Sequence, residues 1–273
     1  MYDAFSEDYD RFVNWRERLA IEMPFIERLL HDMKDKIGDS LRILDAACGT
    51  GMHAIALAQR GFTASGADFS PGMIERARAN AAAANVRVRL EVSRFGGLRQ
   101  TFGEGGFDAL LCLGNSLPHL LTDAELSETL ADFAACLRPG GLLLIQNRNF
   151  DAVLSRRERW MEPQSHSEGE IQWVFLRFYD FDPDGLLTFN LITLRREGNS
   201  PWTQQVTAAR LRPMRQIDLL PALEAAGFKD ITCHGSMADT PFDPDSSGNL
   251  VVVARQSRRE PGGSGSSRLQ RRS

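Results

Sequence analysis

The sequence predicts an α/β fold: a parallel sheet covered by helices, with a helical segment before it and an antiparallel β lid after it. Three observations carry this. Between Leu41 and Gln146, short apolar runs alternate with helical stretches, which requires strands buried on both faces. A glycine-rich turn, Gly49-Thr50-Gly51, joins the first strand to the first of those helices. Beyond Phe150 the pattern becomes strand-like on both sides of Asp182-Pro183-Asp184-Gly185, whose composition marks a hairpin turn.

The first 40 residues read as helical, because Leu19, Met23, Ile26, Leu29, Leu30 and Met33 recur at helical spacing. Pro24 within them marks a kink or a helix start. Strands follow at Leu41–Ala46, Thr63–Ala67, Val86–Val92, Asp108–Leu113 and Leu142–Gln146, and helices at Met52–Arg60, Pro71–Ala84 and Asp123–Leu137. The lid comprises Ile171–Asp180 and Leu186–Arg195, extended by Thr203–Leu211. A helix over Met214–Ala226, ended by Gly227, precedes two last strands at Asp230–His234 and Leu250–Ala254. The expected organisation is one domain over 1–256: a helical cap (1–40), a nucleotide-binding core (41–150), the β lid (151–211) and a closing helix with two strands (212–256). A basic tail, 257–273, rich in Gly, Ser and Arg, is expected to be disordered.

Composition excludes several classes of function. Acidic residues outnumber basic ones, 36 to 32, and five of the arginines lie in the tail. An acidic body argues against a nucleic-acid partner, which needs a basic face. No run of 18 apolar residues occurs, so no membrane span is expected, and the acidic N-terminus does not read as a signal peptide. The four cysteines lie far apart and read as buried thiols of a reducing, cytoplasmic protein; neither they nor the five histidines have metal-ligand spacing.

The glycine loop carries the chemistry. Gly49-Thr50-Gly51-Met52-His53-Ala54 fits G-x-G-x-x-A after a strand and before a helix, and Asp68 ends the next strand 19 residues on, where a carboxylate accepts from ribose hydroxyls. To this point NAD, FAD and S-adenosylmethionine all fit. Asp45, four residues before the first glycine, separates them. A pyrophosphate must sit on this loop, and a carboxylate beside it would repel that charge. S-adenosylmethionine has no phosphate and carries an ammonium and a sulfonium. Ala47 belongs to the same loop. At the end of the third strand stand Ser93, Arg94 and Phe95, where adenine is expected; Phe95 either covers its face or packs in the core.

Two further segments lie beyond strand carboxyl ends, where open α/β sheets bind ligands: Leu113-Gly-Asn-Ser-Leu-Pro-His119-Leu and Gln146-Asn-Arg-Asn-Phe-Asp151. Together with Asp45–Gly51 they resemble glycine N-methyltransferase and the bacterial glycine–sarcosine methyltransferases, over about half the chain. The resemblance implies the class I methyltransferase fold, a Rossmann-like sheet whose last strand is reversed. It implies that Asn115 contacts an amino-acid acceptor and that Arg148 grips its carboxylate. It implies that Tyr9, Arg18, Leu113 and His119 help hold S-adenosylmethionine, alongside Asp45, Ala47, Gly49, Gly51, Asp68, Arg94 and Phe95.

There is one departure. The family's acceptor pocket uses several tyrosines, whereas this chain has only Tyr2, Tyr9 and Tyr179. Phe150 stands where tyrosine is frequent, which points away from glycine and toward a larger or less polar amine. From the lid, Arg177, Tyr179 and Asn190 are candidates to point inward, Tyr179 also as an acceptor orienting the amine, and the loop Asp239–Asp245 is a candidate wall. The expected function is transfer of a methyl group to a small-molecule amine. The alternatives are an O-methyltransferase of a phenolic or carboxylic metabolite and a non-catalytic S-adenosylmethionine-binding module. Assembly into a homo-oligomer is left open.

Overall fold

The computed structural model describes residues 2–37 and 41–257. The tail beyond 257, expected to be disordered, and positions 38–40 of the N-terminal stretch lie outside the described residues.

The main sheet has seven strands. In chain order they are β1 (Arg42–Asp45), β2 (Thr63–Asp68), β3 (Arg89–Val92), β4 (Phe107–Cys112), β5 (Leu137–Arg148), β10 (Phe228–His234) and β11 (Asn249–Gln256). Their spatial order is β10-β11-β5-β4-β1-β2-β3. β1 pairs in parallel with β2 and β4, while β11 runs antiparallel to both β5 and β10. This is the expected sheet with its last strand reversed. Chain direction across the sheet switches between β1 and β4, so their carboxyl ends frame a crevice. All six residues of β4 are buried, as a central parallel strand requires.

Helices cover both faces: α3 (Met52–Gln59), α4 (Pro71–Ala83), α5 (Leu98–Phe102), α6 (Asp123–Cys136), α7 (Phe150–Arg156) and α8 (Gln216–Ala225). Capping fixes where the important ones begin. The Ser70 hydroxyl accepts from the Met73 amide (3.2 Å) with Pro71 at the first helical position, which starts α4 three residues after Asp68. Thr122 and Glu125 form a reciprocal capping box at the start of α6. At the N-terminus, α1 (Tyr2–Phe12) and α2 (Trp15–Ile37) are separated by a short break. Pro24 lies inside α2 and ends nothing, because Met23, Phe25, Ile26, Leu30 and Met33 are all buried against the sheet and hold the helix through the missing amide.

The lid is a separate antiparallel sheet of β6 (Gln164–Glu168), β7 (Ile171–Phe181), β8 (Leu187–Glu197) and β9 (Thr203–Leu211), in that order. Its β7–β8 turn is the anticipated one, with Gly185 at φ 83°. Several bounds differ from the sequence reading. Val86–Val88 lie outside β3, and helix α8 begins at Gln216, not Met214. β5 starts at Leu137, so Arg138-Pro139-Gly140-Gly141 stays in the sheet, with a register shift against β4. Helices α5 and α7 and strand β6 were not anticipated at all.

Candidate active site

A cavity of about 680 Å³ opens at the carboxyl ends of β1, β2 and β4. It is roofed by α1 and α2 and walled on one side by β7 and β8. Tyr9, Arg18, Ala47, Gly49, Asp68, Arg94, Phe95, Leu113, Asn115 and His119 all line it. The sequence reading had named each of them from separate stretches of chain.

The floor is the glycine loop. Gly49 and Gly51 have φ of 53° and 82°, the left-handed region that favours glycine. At Gly51 a Cβ would meet the Ala77 Cβ at 2.9 Å, so this glycine serves the close approach of α3 to α4 and does not itself line the cavity. The Gly49 amide donates to Asp68 Oδ2 and the Ser70 amide to Asp68 Oδ1, each at 3.0 Å. Those two bonds help fix the Asp68 carboxylate, an acceptor, in the cavity wall. Next to it Phe69 is 57% exposed and lines the cavity together with Met73. This apolar platform suits a purine face, and sequence reasoning had missed it. Phe95 packs edge-on against Phe133 and also lines the cavity.

Asp45 lies beneath the loop, 1% exposed, and does not line the cavity. Burial pushes its carboxyl up to about 6, against the opposing pull of His53, and Asp68 adds to the rise. Its Oδ1 finds no hydrogen-bond partner among the described residues. Above the loop, Arg18 Nε donates to both oxygens of Glu22 (3.1 and 3.2 Å), and Glu22 Oε2 lies 2.6 Å from His53 Nε2. Trp15 packs edge-on against His53 and beneath the Arg18 guanidinium. Burial acts to lower the Arg18 pKa, but Glu22 and Tyr9 more than offset it, so the guanidinium stays a firm cation. The Glu22–His53 pair links positions 31 apart and was invisible to spacing rules; the Arg18–Glu22 pair, at i and i+4, was readable.

α1 is latched over this floor by Asp10. Its Oδ1 accepts from Thr50 Oγ1 (2.6 Å) and Trp15 Nε1 (2.9 Å), and its Oδ2 from Arg76 Nε and Asn80 Nδ2 (both 3.0 Å). The Tyr9 ring then sits over Gly49, 3.7 Å from where a Cβ would be.

The other end of the cavity is built on β4. Asn115 has φ 65°, unusual for a residue with a side chain, and is held there by its amide to Gln146 O (3.0 Å). The Arg148 amide donates to Asn115 Oδ1 (2.9 Å). A backbone N–H can only donate, so the carboxamide orientation is fixed, with Nδ2 as its donor end. Burial pushes the nearby His119 down to about 4, so its imidazole is neutral at pH 7.

Arg148 itself is elsewhere. Its guanidinium pairs with Glu158 at 2.7 Å and does not line the cavity. The lid residue that does is Arg177, with Phe189 and Leu191 beside it. Tyr179 does not: it is 2% exposed, packed between Phe150 and Phe189, and so cannot orient an acceptor. Asn190 donates to Asp180 Oδ2 (2.8 Å) and also stands outside the lining. The Asp239–Asp245 loop is no wall of the cavity, because Asp239 is drawn to Arg28 (3.0 Å) and His234 (3.1 Å). Among the described residues no cluster of His, Cys, Asp or Glu could hold a metal ion, and no helix is long and apolar enough to cross a membrane.

The Asp45 carboxyl beneath the loop disfavours a pyrophosphate there. A partnerless buried carboxylate oxygen below it, a firm guanidinium above it and an exposed aromatic platform beyond it fit S-adenosylmethionine. Fold and site together define a class I S-adenosylmethionine-dependent methyltransferase. Residues 43–141 match a family model described as a methyltransferase domain. The glycine/sarcosine N-methyltransferase of Aphanothece halophytica is 30% identical over 249 residues, covering 89% of this chain and 86% of that protein. The chain belongs to this methyltransferase family. Among solved structures, an S-adenosylmethionine-dependent methyltransferase from Clostridium acetobutylicum shares the fold with a TM-score of 0.72 at 16% identity, covering 94% of this chain and 99% of that one. The amino pentose methyltransferase CalS10 from Micromonospora echinaspora, solved with S-adenosylmethionine bound, shares it with a TM-score of 0.65 at 21% identity, covering 93% and 97%.

Proposed function

We propose that this enzyme methylates the amine of a small amino acid or a related compound. The observation that carries the reading is the fixed carboxamide of Asn115, held at an unusual backbone angle where the acceptor end of the cavity meets the glycine loop. Arg18 would hold the methionyl carboxylate of S-adenosylmethionine, Asp45 its ammonium from below, Asp68 its ribose, and Phe69 with Met73 its adenine. When bound, S-adenosylmethionine supplies an electrophilic methyl group on a positively charged sulfur.

The chain's own task is orientation and exclusion of water. An in-line approach to about 3 Å supplies much of the rate, and no acid is needed for a neutral leaving group. The amine must be unprotonated. His119, held near 4, is too weak a base to take the proton. The cationic surroundings of Arg18 and Arg177 instead disfavour an ammonium in the cavity, so the neutral amine is the form admitted. Asn115 would donate through Nδ2 to an acceptor oxygen, while α1 and the lid keep water out.

The test is formation of S-adenosylhomocysteine from S-adenosylmethionine with a panel of glycine, sarcosine, larger amino acids, an amino sugar and a catechol. Turnover is expected with an amino-acid amine. Methylation confined to the catechol, or no turnover by a protein that binds S-adenosylhomocysteine, would overturn it.

A further inference from the structure

A second depression, of about 560 Å³, lies at the amino ends of β1, β2 and β3, at the opposite end of the sheet from the active-site cavity, and the two share no lining residue. Four exposed arginines line it, Arg42, Arg78, Arg87 and Arg89, and no acidic residue does, in a chain whose acidic residues outnumber its basic ones. Parallel register sets Arg42 beside Thr63 and Arg89 beside Ser65, so these four side chains share one face of the sheet. On that face the Arg42 guanidinium lies over the Phe107 ring at 5.4 Å and the Arg89 guanidinium over the Phe102 ring at 4.7 Å. The two rings pack edge to face, 5.9 Å apart. Arg89 is fixed further by Glu91 (3.2 Å) and the Thr101 carbonyl (2.8 Å), and Arg78 by the Leu90 carbonyl (2.7 Å), with Glu91 at 3.9 Å. A guanidinium has five donors, so both keep some idle. Asp108 accepts from the Arg42 amide (2.6 Å), but its charge is taken by Arg138 (2.7 Å). Among the described residues Arg42 and Arg87 make no ion pair, and the Thr63 and Ser65 hydroxyls have no hydrogen-bond partner.

We infer that this depression is a binding site for a phosphate group, free or carried on a small metabolite. Phosphate presents up to two charges and several acceptor oxygens, and four guanidiniums set against the one carboxylate of Glu91 match a dianion better than a single charge. The forks of Arg42 and Arg89 are held flat on their rings, so they lose little freedom when they bind. Thr63 and Ser65 stand on β2, between those two forks, and offer neutral donors to the same anion. Val86, Val88 and Phe107 give the depression an apolar wall that suits the carbon part of an ester. The arginines converge on a recess and do not spread over a face, so the backbone of a nucleic acid is not what they fit.

Phosphorus NMR titrations of the full chain test this, one with inorganic phosphate and one with glycerol 3-phosphate. The protein is saturated with S-adenosylhomocysteine, so that the active-site cavity is filled, and sodium chloride holds the ionic strength constant, so that screening is the same throughout. Saturable binding is expected. It should weaken about 10- to 100-fold in Arg42→Met and in Arg87→Met, the range for losing hydrogen bonds to a charged group. It should be unchanged in Arg195→Met, whose guanidinium pairs with Glu197 on the lid (3.2 Å). Arg87→Met removes no ion pair among the described residues, so its melting temperature without phosphate should match that of wild type. Affinity for S-adenosylhomocysteine should be the same in all four proteins, since no residue lines both cavities. An affinity for the ion at least equal to that for the ester names free phosphate as the ligand, and a tighter ester names a phosphorylated metabolite; either supports the site. Titrations that do not saturate, binding that survives unchanged in Arg42→Met and Arg87→Met, or an equal loss in Arg195→Met would overturn it.

Discussion

Asp45→Asn tests the buried carboxylate beneath the glycine loop. A carboxyl raised by burial to about 6 from its ordinary 3.8 is protonated in the folded chain at a pH where the unfolded chain has already ionised. Stability therefore falls as pH rises from about 4 to 6, and above that range the folded state carries the full cost. At ~1.4 kcal/mol for each tenfold change in proton affinity, the cost is about 3 kcal/mol. The asparagine cannot ionise, so without ligand it should melt about 5–10 °C above wild type at pH 7.5, with the gap closing by pH 4. His119, pushed down to about 4, slopes the other way, because the unfolded chain takes a proton that the folded chain refuses. That contribution is common to both proteins and cancels in their difference. S-adenosylhomocysteine should reverse the order: its ammonium favours the ionised Asp45, so wild type should gain affinity as pH rises through 6 and the variant should bind more weakly. Thermal melts across pH 4–8, with and without ligand, measure all of this. A gap between the two proteins that is constant with pH, or a variant that binds the nucleoside as tightly as wild type at pH 7.5, would refute the reasoning.

Two other substitutions probe the roof and the floor. Asp10→Ala removes four hydrogen bonds that latch α1, and it should speed release of S-adenosylhomocysteine tenfold or more in stopped-flow while increasing hydrogen exchange in α1 ahead of the sheet. Unchanged release would mean that α1 does not gate the cavity. Gly51→Ala places a methyl group 2.9 Å from Ala77 Cβ at a φ of 82° and should cost about 2–4 kcal/mol in urea unfolding, whereas Gly140→Ala, at φ 80° with nothing within 4 Å, should cost only about 1 kcal/mol of backbone strain. Similar costs at the two sites would show that helix contact is not what demands glycine at position 51.

The sequence was most informative where burial has a period. The central strands β1, β4 and β5 are apolar on both faces, so alternation alone located them. Strand β6 escaped because Gln164-Ser-His-Ser-Glu168 is polar and mostly exposed; only its pairing with β7 makes it a strand. β5 was read short because Pro139-Gly140-Gly141 is ordinarily a breaker, and here the sheet absorbs it with a shifted register. The same division holds in the site. Asp68 and Asn115 follow from strand ends, but the depth of Asp45, the Glu22–His53 contact and the interception of Arg148 by Glu158 depend on what folds against them. Arg177 was legible only as one charge in an alternating strand, since nothing local says that Phe12 will lie under it.

The strand ends beneath the acceptor are tied by side-chain amides. Gln146 Oε1 accepts from the Gly114 amide (2.8 Å), its Nε2 donates to Asn249 Oδ1 (3.2 Å), and Asn115 clasps the backbone of Arg148. β4, β5 and β11 are thus sewn together at the end of the cavity where the acceptor is proposed to sit. The lid contributes to the same cavity from a different sheet, with its own ladder. Arg177, Phe189 and Leu191 line the cavity from that second sheet, so a change at any one of them reshapes the cavity wall while the stitched floor stays as it is.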